Sequence, residues 1–157
     1  MRTHLLPLPS LSERSAPAVA EAFQPVDLRL PARPSELKRA RDCVAAAAAD
    51  FGFARKAAYE LVFAVNEAVT NAIKHGRPDA DGTIGLTIDA EGDALVCSIQ
   101  DAGPFVAPRA EHEPVTAESG RGFAFMSALT DEFELLVEPA ATIVRLRKLR
   151  PALVPSA

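Results

Sequence analysis

The sequence predicts an α+β two-layer architecture, with helices packed on one face of a mainly antiparallel sheet. Two observations point there. The hydrophobic period is helical as far as His75 and turns to alternation from Thr83 onward. The alternating runs then come as neighbouring pairs joined by short turns, without the strand–helix–strand order that a parallel sheet needs. A chain of 157 residues suits one domain with a real core.

The elements follow in order. Residues 1–26 hold Pro7, Pro9, Pro17 and Pro25 among Ser, Ala and charges, a composition that cannot repay ordering entropy and predicts a mobile tail. The segment "VDLRLPA" reads as an extended piece that can edge a sheet. Ser35 is placed to cap a helix running to about Ala49, with Leu37, Val44 and Ala48 on its apolar stripe. "DFGF" breaks that helix at Gly52. A stronger helix is expected from about Arg55 to His75, with Gly76 as its stop and Pro78 beyond. "TIGLTIDA" and "ALVCSIQD" alternate across Glu91-Gly92-Asp93 and predict a hairpin. Residues 102–121 are loop-like, "GFAFMSALTD" a short helix, and "EFELLVEPAATIVRLRKL" a second hairpin turning near Pro139. The predicted domain is therefore 27–150, followed by a tail of 151–157.

Composition excludes several function classes. The net charge of −4 supplies no global basic field for nucleic acid. Arg145, Arg147, Lys148 and Arg150 make a basic end, expected to be a solvated strand face. Cys43 and Cys97 lack metal-ligand spacing and read as reduced, buried thiols of a cytoplasmic protein. No apolar run reaches the ~20 residues of a membrane span, and Pro7 and Pro9 interrupt any apolar region of a signal peptide. Aromatics are only 6% and Trp is absent, so Val, Leu, Ile and Ala must build the core.

Three short stretches carry chemistry. In "ELVFAVNEAVTNAIKHG" the residues Ala58, Leu61, Val62, Val65, Ala68, Val69, Ala72 and Ile73 fall on one arc, and Glu60, Phe63, Glu67, Thr70, Asn71 and Lys74 on the other. The second arc can be a solvated face. It can also be a site, because magnesium takes oxygen ligands and Asn71 offers one without adding charge. Glu67, one turn earlier, can orient or deprotonate a nucleophile attacking a γ-phosphate. In "IQDAGPF", Asp101 ends a strand and Gly103 turns the chain away. A carboxylate there can accept from the exocyclic amine of adenine, although Asp before Gly is also a common turn. In "ESGRGFAFM", Gly120 and Gly122 flank Arg121 at the opening of a helix, where backbone N–H groups can hold phosphate. Neither of the two best-known phosphate-loop patterns is present.

Taken together, "NEAVTNAIKHG", "DAGPF" and "SGRGFAFMSALTDEFEL" resemble the three nucleotide-binding boxes of the GHKL ATPases, the group of gyrase, heat-shock chaperone, histidine kinase and mismatch-repair protein. Within them the chain is most similar to the anti-sigma-factor serine kinases. The resemblance covers roughly residues 27 to 150. It implies the Bergerat fold, with ATP and Mg²⁺ between a helix and a lid. By motif position it implies Glu67 as catalytic base, Asn71 as magnesium ligand, Asp101 as adenine-reading acid and Gly103 as its companion. It implies phosphate contacts at Gly120, Arg121 and Gly122, a nucleotide-site threonine at Thr142, and a partner-contacting arginine at Arg41. There are departures: Phe105 stands where D-x-G-x-G has its last glycine, Ala141-Thr142 replaces G-T, and the lid from Phe105 to Ser119 is short, with Glu118 in place of a basic residue.

The resemblance implies a two-armed switch. One arm sequesters a sigma factor. The other phosphorylates a serine of an anti-sigma-factor antagonist, a STAS-type protein, in the cytoplasm, with a homodimer as the family's habit. No direct nucleic-acid or membrane partner is expected. The alternative is a non-catalytic module of the same fold that regulates a partner by sequestration. A histidine-kinase fragment fits less well, and His75 beside Gly76 reads as a capping and packing residue.

Overall fold

The computed structural model describes residue 20, residues 22–103 and residues 117–151. The strands are β1 (Val26–Pro31), β2 (Thr83–Glu91), β3 (Ala94–Asp101), β4 (Glu132–Glu138) and β5 (Ala141–Leu149), and the helices are α1 (Leu37–Asp50), α2 (Arg55–His75) and α3 (Ala117–Leu129). The five strands form one sheet in the order β1-β2-β3-β5-β4. All four pairings are antiparallel, so the described sheet contains no parallel pair. The expected edge role of "VDLRLPA" is met by β1, and both predicted hairpins form.

The alternation in β2 and β3 sends Ile84, Leu86, Ile88, Leu95, Cys97 and Ile99 toward the helices, where all are buried. The helix layer answers with small residues. Ala40, Val44, Ala47 and Ala48 of α1 and Ala57, Leu61, Ala64, Val65, Ala68, Val69 and Ala72 of α2 are buried. Small alanine side chains on both faces let these helices approach closely. Burial pushes the Cys97 thiol up to about 12, and raises that of half-buried Cys43 more weakly, because Arg39 opposes it. A thiol reagent at about pH 8 is therefore expected to label Cys43 in the folded protein and Cys97 only after unfolding. Equal native rates at the two sites would contradict this packing.

Three local expectations change. Ser35 does not cap α1: it sits inside a 3₁₀ turn, Pro34–Glu36, and Glu36 precedes the helix with no side-chain cap bond. The fixed φ of Pro34 starts the turn early and takes Ser35 out of the cap position. The packed chain also begins before residue 27. Ala20, Phe23 and Val26 pack against the core, and Phe23 meets Phe51 edge-on at 5.8 Å. The rest of the predicted tail, and all of 152–157, lies outside the described residues. At the other end Arg150 stacks over the same Phe51 ring at 5.3 Å and donates to its carbonyl. Gly52, at φ +87°, makes that corner possible.

The basic end is likewise not an open cationic face. Arg145 bonds Glu91 and Glu134, Arg147 bonds Glu132, and Lys148 turns inward to Glu60 and the Leu129 carbonyl. Lys148 holds the Glu60 carboxyl below the usual carboxylate range, chiefly through this hydrogen bond. A depressed carboxylate contributes stability above its unfolded value of about 4.3 and loses it as pH falls through the folded one. Glu60→Gln should therefore flatten the acid side of a stability–pH curve measured by urea midpoint. A curve of unchanged slope would show the pair to be energetically idle.

Candidate functional site

Along α2 the polar stripe predicted from the period is present, with Lys74 exposed and Glu60, Phe63, Glu67, Thr70 and Asn71 only partly exposed. Glu67 and Asn71 are half-buried, and neither has a hydrogen-bond or ion-pair partner among the described residues. The reason is α3, which crosses beside them. A methyl group at Gly122 would lie 3.2 Å from Asn71 Nδ2 and 3.6 Å from Glu67 Oε2. A Cβ there would press on the Asn71 amide, which would have to give by a few tenths of an ångström, and would reach Glu67 only at ordinary contact distance.

The glycine pair therefore acts differently from its sequence reading. The helix begins at Ala117, so Gly120, Arg121 and Gly122 lie within its first turns and not in a loop before it. The free N–H groups of a helix belong to its first four residues, here 117–120, which include Gly120 but not Gly122. The side chain of Arg121 and residues 104–116, which include Phe105 and most of the expected lid Phe105–Ser119, lie outside the described residues.

A second corner forms at the C-terminal end of α2. Asp101 pairs across the sheet with Thr142. Its Oδ1 accepts the Gly103 N–H at 2.9 Å, and the buried Thr142 hydroxyl donates to the Gly103 carbonyl at 2.7 Å. The Ala102 N–H donates to the Arg77 carbonyl at 2.7 Å, which ties the strand end to the chain leaving α2. Asp101 Oδ2 makes no hydrogen bond among the described residues. Gly76 is what lets it in: a methyl group there would sit 2.5 Å from Asp101 Oδ2 and 2.5 Å from the Ala72 carbonyl oxygen. Gly76 has φ −80° and is not a left-handed helix stop, so close approach, not backbone freedom, requires glycine here. At Gly103 a methyl group would meet the Arg77 side chain at 2.9 Å. Sequence reasoning read Gly76 only as a terminator and did not single out Arg77. The "HGRP" run signalled a helix end but not its neighbour.

Of the predicted site residues, Glu67, Asn71 and Gly122 thus meet in one place, and Asp101, Gly103 and Thr142 in another. The first lies on α2 and the second against its C-terminal end at Gly76, about 7.5 Å along the helix from Asn71 at 1.5 Å per residue. Arg41 is exposed on α1 and donates to Asn66 Oδ1 at 3.0 Å, beside Glu67 but not part of either cluster. His75 is exposed in the last turn of α2, where its position suits the helix dipole. No group of three or more His, Cys, Asp or Glu side chains able to hold a metal occurs among the described residues. A magnesium ion would therefore have to complete its shell from phosphate and water. The free carboxamide oxygen of Asn71, with the Glu67 carboxylate close by, fits that donor set. A cavity of about 650 Å³, lined by Leu28, Ser35, Glu36, Lys38, Arg39, Asp42 and Cys43, contains none of these residues. Among the described residues no helix is long and apolar enough to cross a membrane.

Comparison with known proteins bears on the family and the fold. Residues 30–148 match the histidine kinase-like ATPase domain. The serine-protein kinase RsbW of Bacillus pumilus (strain SAFR-032) is 26% identical over 137 residues, covering 78% of this chain and 85% of that one. The serine-protein kinase RsbW of Listeria innocua serovar 6a is 25% identical over 140 residues, covering 80% and 88%. Among solved structures, the RsbU and RsbW domains of Rv1364c from Mycobacterium tuberculosis superpose with a TM-score of 0.64 at 22% identity, over 85% of this chain and 35% of that one. That likeness concerns the fold, a helix layer on an antiparallel sheet. The chain belongs to the histidine kinase-like ATPase domain family, with the α+β fold of the GHKL ATPases.

Proposed function

We propose that this protein is an ATP- and Mg²⁺-dependent serine protein kinase of the anti-sigma-factor type. In this reading it sequesters a sigma factor and phosphorylates a serine of a STAS-type antagonist. The observation that carries it is the half-buried Glu67–Asn71 pair beside Gly122, which has no hydrogen-bond or ion-pair partner among the described residues. A half-buried acid and amide with no partner among the described residues fit a ligand better than they fit a solvated face.

ATP is the substrate. Its adenine amine would donate to the free oxygen of Asp101, with Thr142 and Gly103 holding that corner, and its phosphates would run along α2 toward Glu67. Magnesium, when bound at Asn71, supplies charge neutralisation of the phosphates. Glu67 takes the proton from the incoming serine hydroxyl as its oxygen bonds the γ-phosphorus and the bond to ADP breaks. Gly120 and Arg121, at the N-terminal turn of α3, are assigned to the phosphates, and Arg41 to the protein partner. Positioning and charge neutralisation suffice for such a transfer in a small domain. The sequestration-only alternative leaves the free acid at Glu67 without a purpose.

The decisive experiment is incubation with γ-labelled ATP, Mg²⁺ and a purified STAS-type antagonist. Label should appear on a serine of the antagonist. Asn71→Ala should weaken Mg²⁺-dependent ATP binding by about tenfold or more, seen by calorimetry, and binding without Mg²⁺ should change little. An antagonist that stays unlabelled while it and ATP both bind would leave only the sequestering module.

A further inference from the structure

The stripe that carries the site continues toward the start of α2. Lys56, Tyr59, Glu60, Phe63, Glu67 and Asn71 recur at intervals of three and four, so at about 100° per residue they share a face. The Tyr59 and Phe63 rings lie 6.4 Å apart, and Phe63 meets Phe125 of α3 edge-on at 5.9 Å. Tyr59 is 68% exposed and Phe125 48%. The row begins where the polar pair ends: Phe63 is one turn, about 6 Å, before Glu67. Contiguous exposed rings of this kind mark a protein contact.

The direction of the site says what meets them. The Asp101 corner lies at the C-terminal end of α2, with Asn71 and then Glu67 toward its start. A nucleotide laid along the helix points its γ-phosphate at Phe63. An acceptor attacking in line with the departing ADP must arrive from beyond that phosphate, over Phe63 and Tyr59. An exposed cation stands at that rim. Lys56 has an 89% exposed side chain, and its ammonium is 3.8 Å from a Glu60 that already holds Lys148 at 2.6 Å.

Resting on the kinase reading above, we infer that Tyr59, Phe63 and Phe125 form the docking platform for the protein substrate. The substrate surface beside its acceptor serine is apolar, with an acidic group facing Lys56. Tyr59 and Phe125 are positioning residues that set specificity. They touch neither the nucleotide nor the acceptor oxygen.

The test uses the whole chain and a purified, unphosphorylated STAS-type antagonist as probe. Phosphotransfer kinetics, calorimetric binding and sedimentation are measured for the unaltered protein, for Tyr59→Ser with Phe125→Ser, and for Lys56→Glu. The double variant should raise KM for the antagonist about tenfold or more, with kcat and ATP affinity nearly unchanged. Lys56→Glu should raise KM by an amount that shrinks as salt increases. Unchanged KM in the double variant overturns the platform and leaves the kinase reading standing. Unchanged KM with loss of self-association does the same and assigns the rings to a second copy of the chain. Antagonist binding that the double variant abolishes, in a chain that transfers no phosphate, supports the platform and removes the kinase reading. An unaltered chain that neither binds nor phosphorylates the antagonist overturns both.

Discussion

Glu67→Gln is expected to leave ATP bound and to slow phosphoryl transfer by about 10²- to 10⁴-fold, the range that a general base supplies. The substitution keeps the volume beside Gly122 and removes only the ability to take a proton. Glu67 makes no bond within the described protein, so stability should barely move. Single-turnover transfer from labelled ATP to the antagonist, with nucleotide affinity measured separately, tests this. Full-rate transfer by the variant would remove the base assignment and return Glu67 to a ligand-orienting role. A loss of rate accompanied by an equal loss of ATP affinity would point to the metal instead.

Gly76→Ala should be the most damaging conservative substitution in the site. The new methyl group would sit 2.5 Å from both a helix carbonyl and the Asp101 carboxylate, and one of them must move. Overpacking of this kind costs about 1–3 kcal/mol. The Asp101 side chain is the softer of the two contacts, so nucleotide affinity should fall together with the urea midpoint. Asp101→Asn separates the two effects. It keeps the packing, turns an acceptor into a mixed group and should lower affinity for adenine nucleotides with little change in stability. If Gly76→Ala bound ATP normally and unfolded at the same urea concentration, the corner would not be assembled as described.

Much of this was legible in the sequence because the signals are local. Periodicity placed α2 from Arg55 to His75, with bounds that the structure shares, and the two hairpins around Gly92 and Pro139 were set by turn chemistry. The stripe holding Glu67 and Asn71 follows from 100° per residue alone. Ser35 failed as a cap because Pro34 took the first turn, a competition between two local signals that propensity does not rank. The tail boundary failed at Phe23, whose partner Phe51 lies across the chain. Lys148 looked like one of four solvated cations because a strand's alternation does not say which face meets a helix carboxylate.

By itself, the sequence determined which residues could do chemistry and the order of the elements that bear them, since both depend on side-chain type and spacing along one helix or strand. Only the tertiary structure decided why three of the glycines are glycines. Gly76, Gly103 and Gly122 lie where Asp101, Arg77 and the Glu67–Asn71 pair come from distant parts of the chain, and a missing Cβ there is a statement about a neighbour, not about the backbone. The same holds for the exposed rings of Tyr59 and Phe125, which become one surface only when α3 lies against α2. Contacts between segments far apart in sequence leave no periodic trace, and it is those contacts that turn a polar stripe into a cleft.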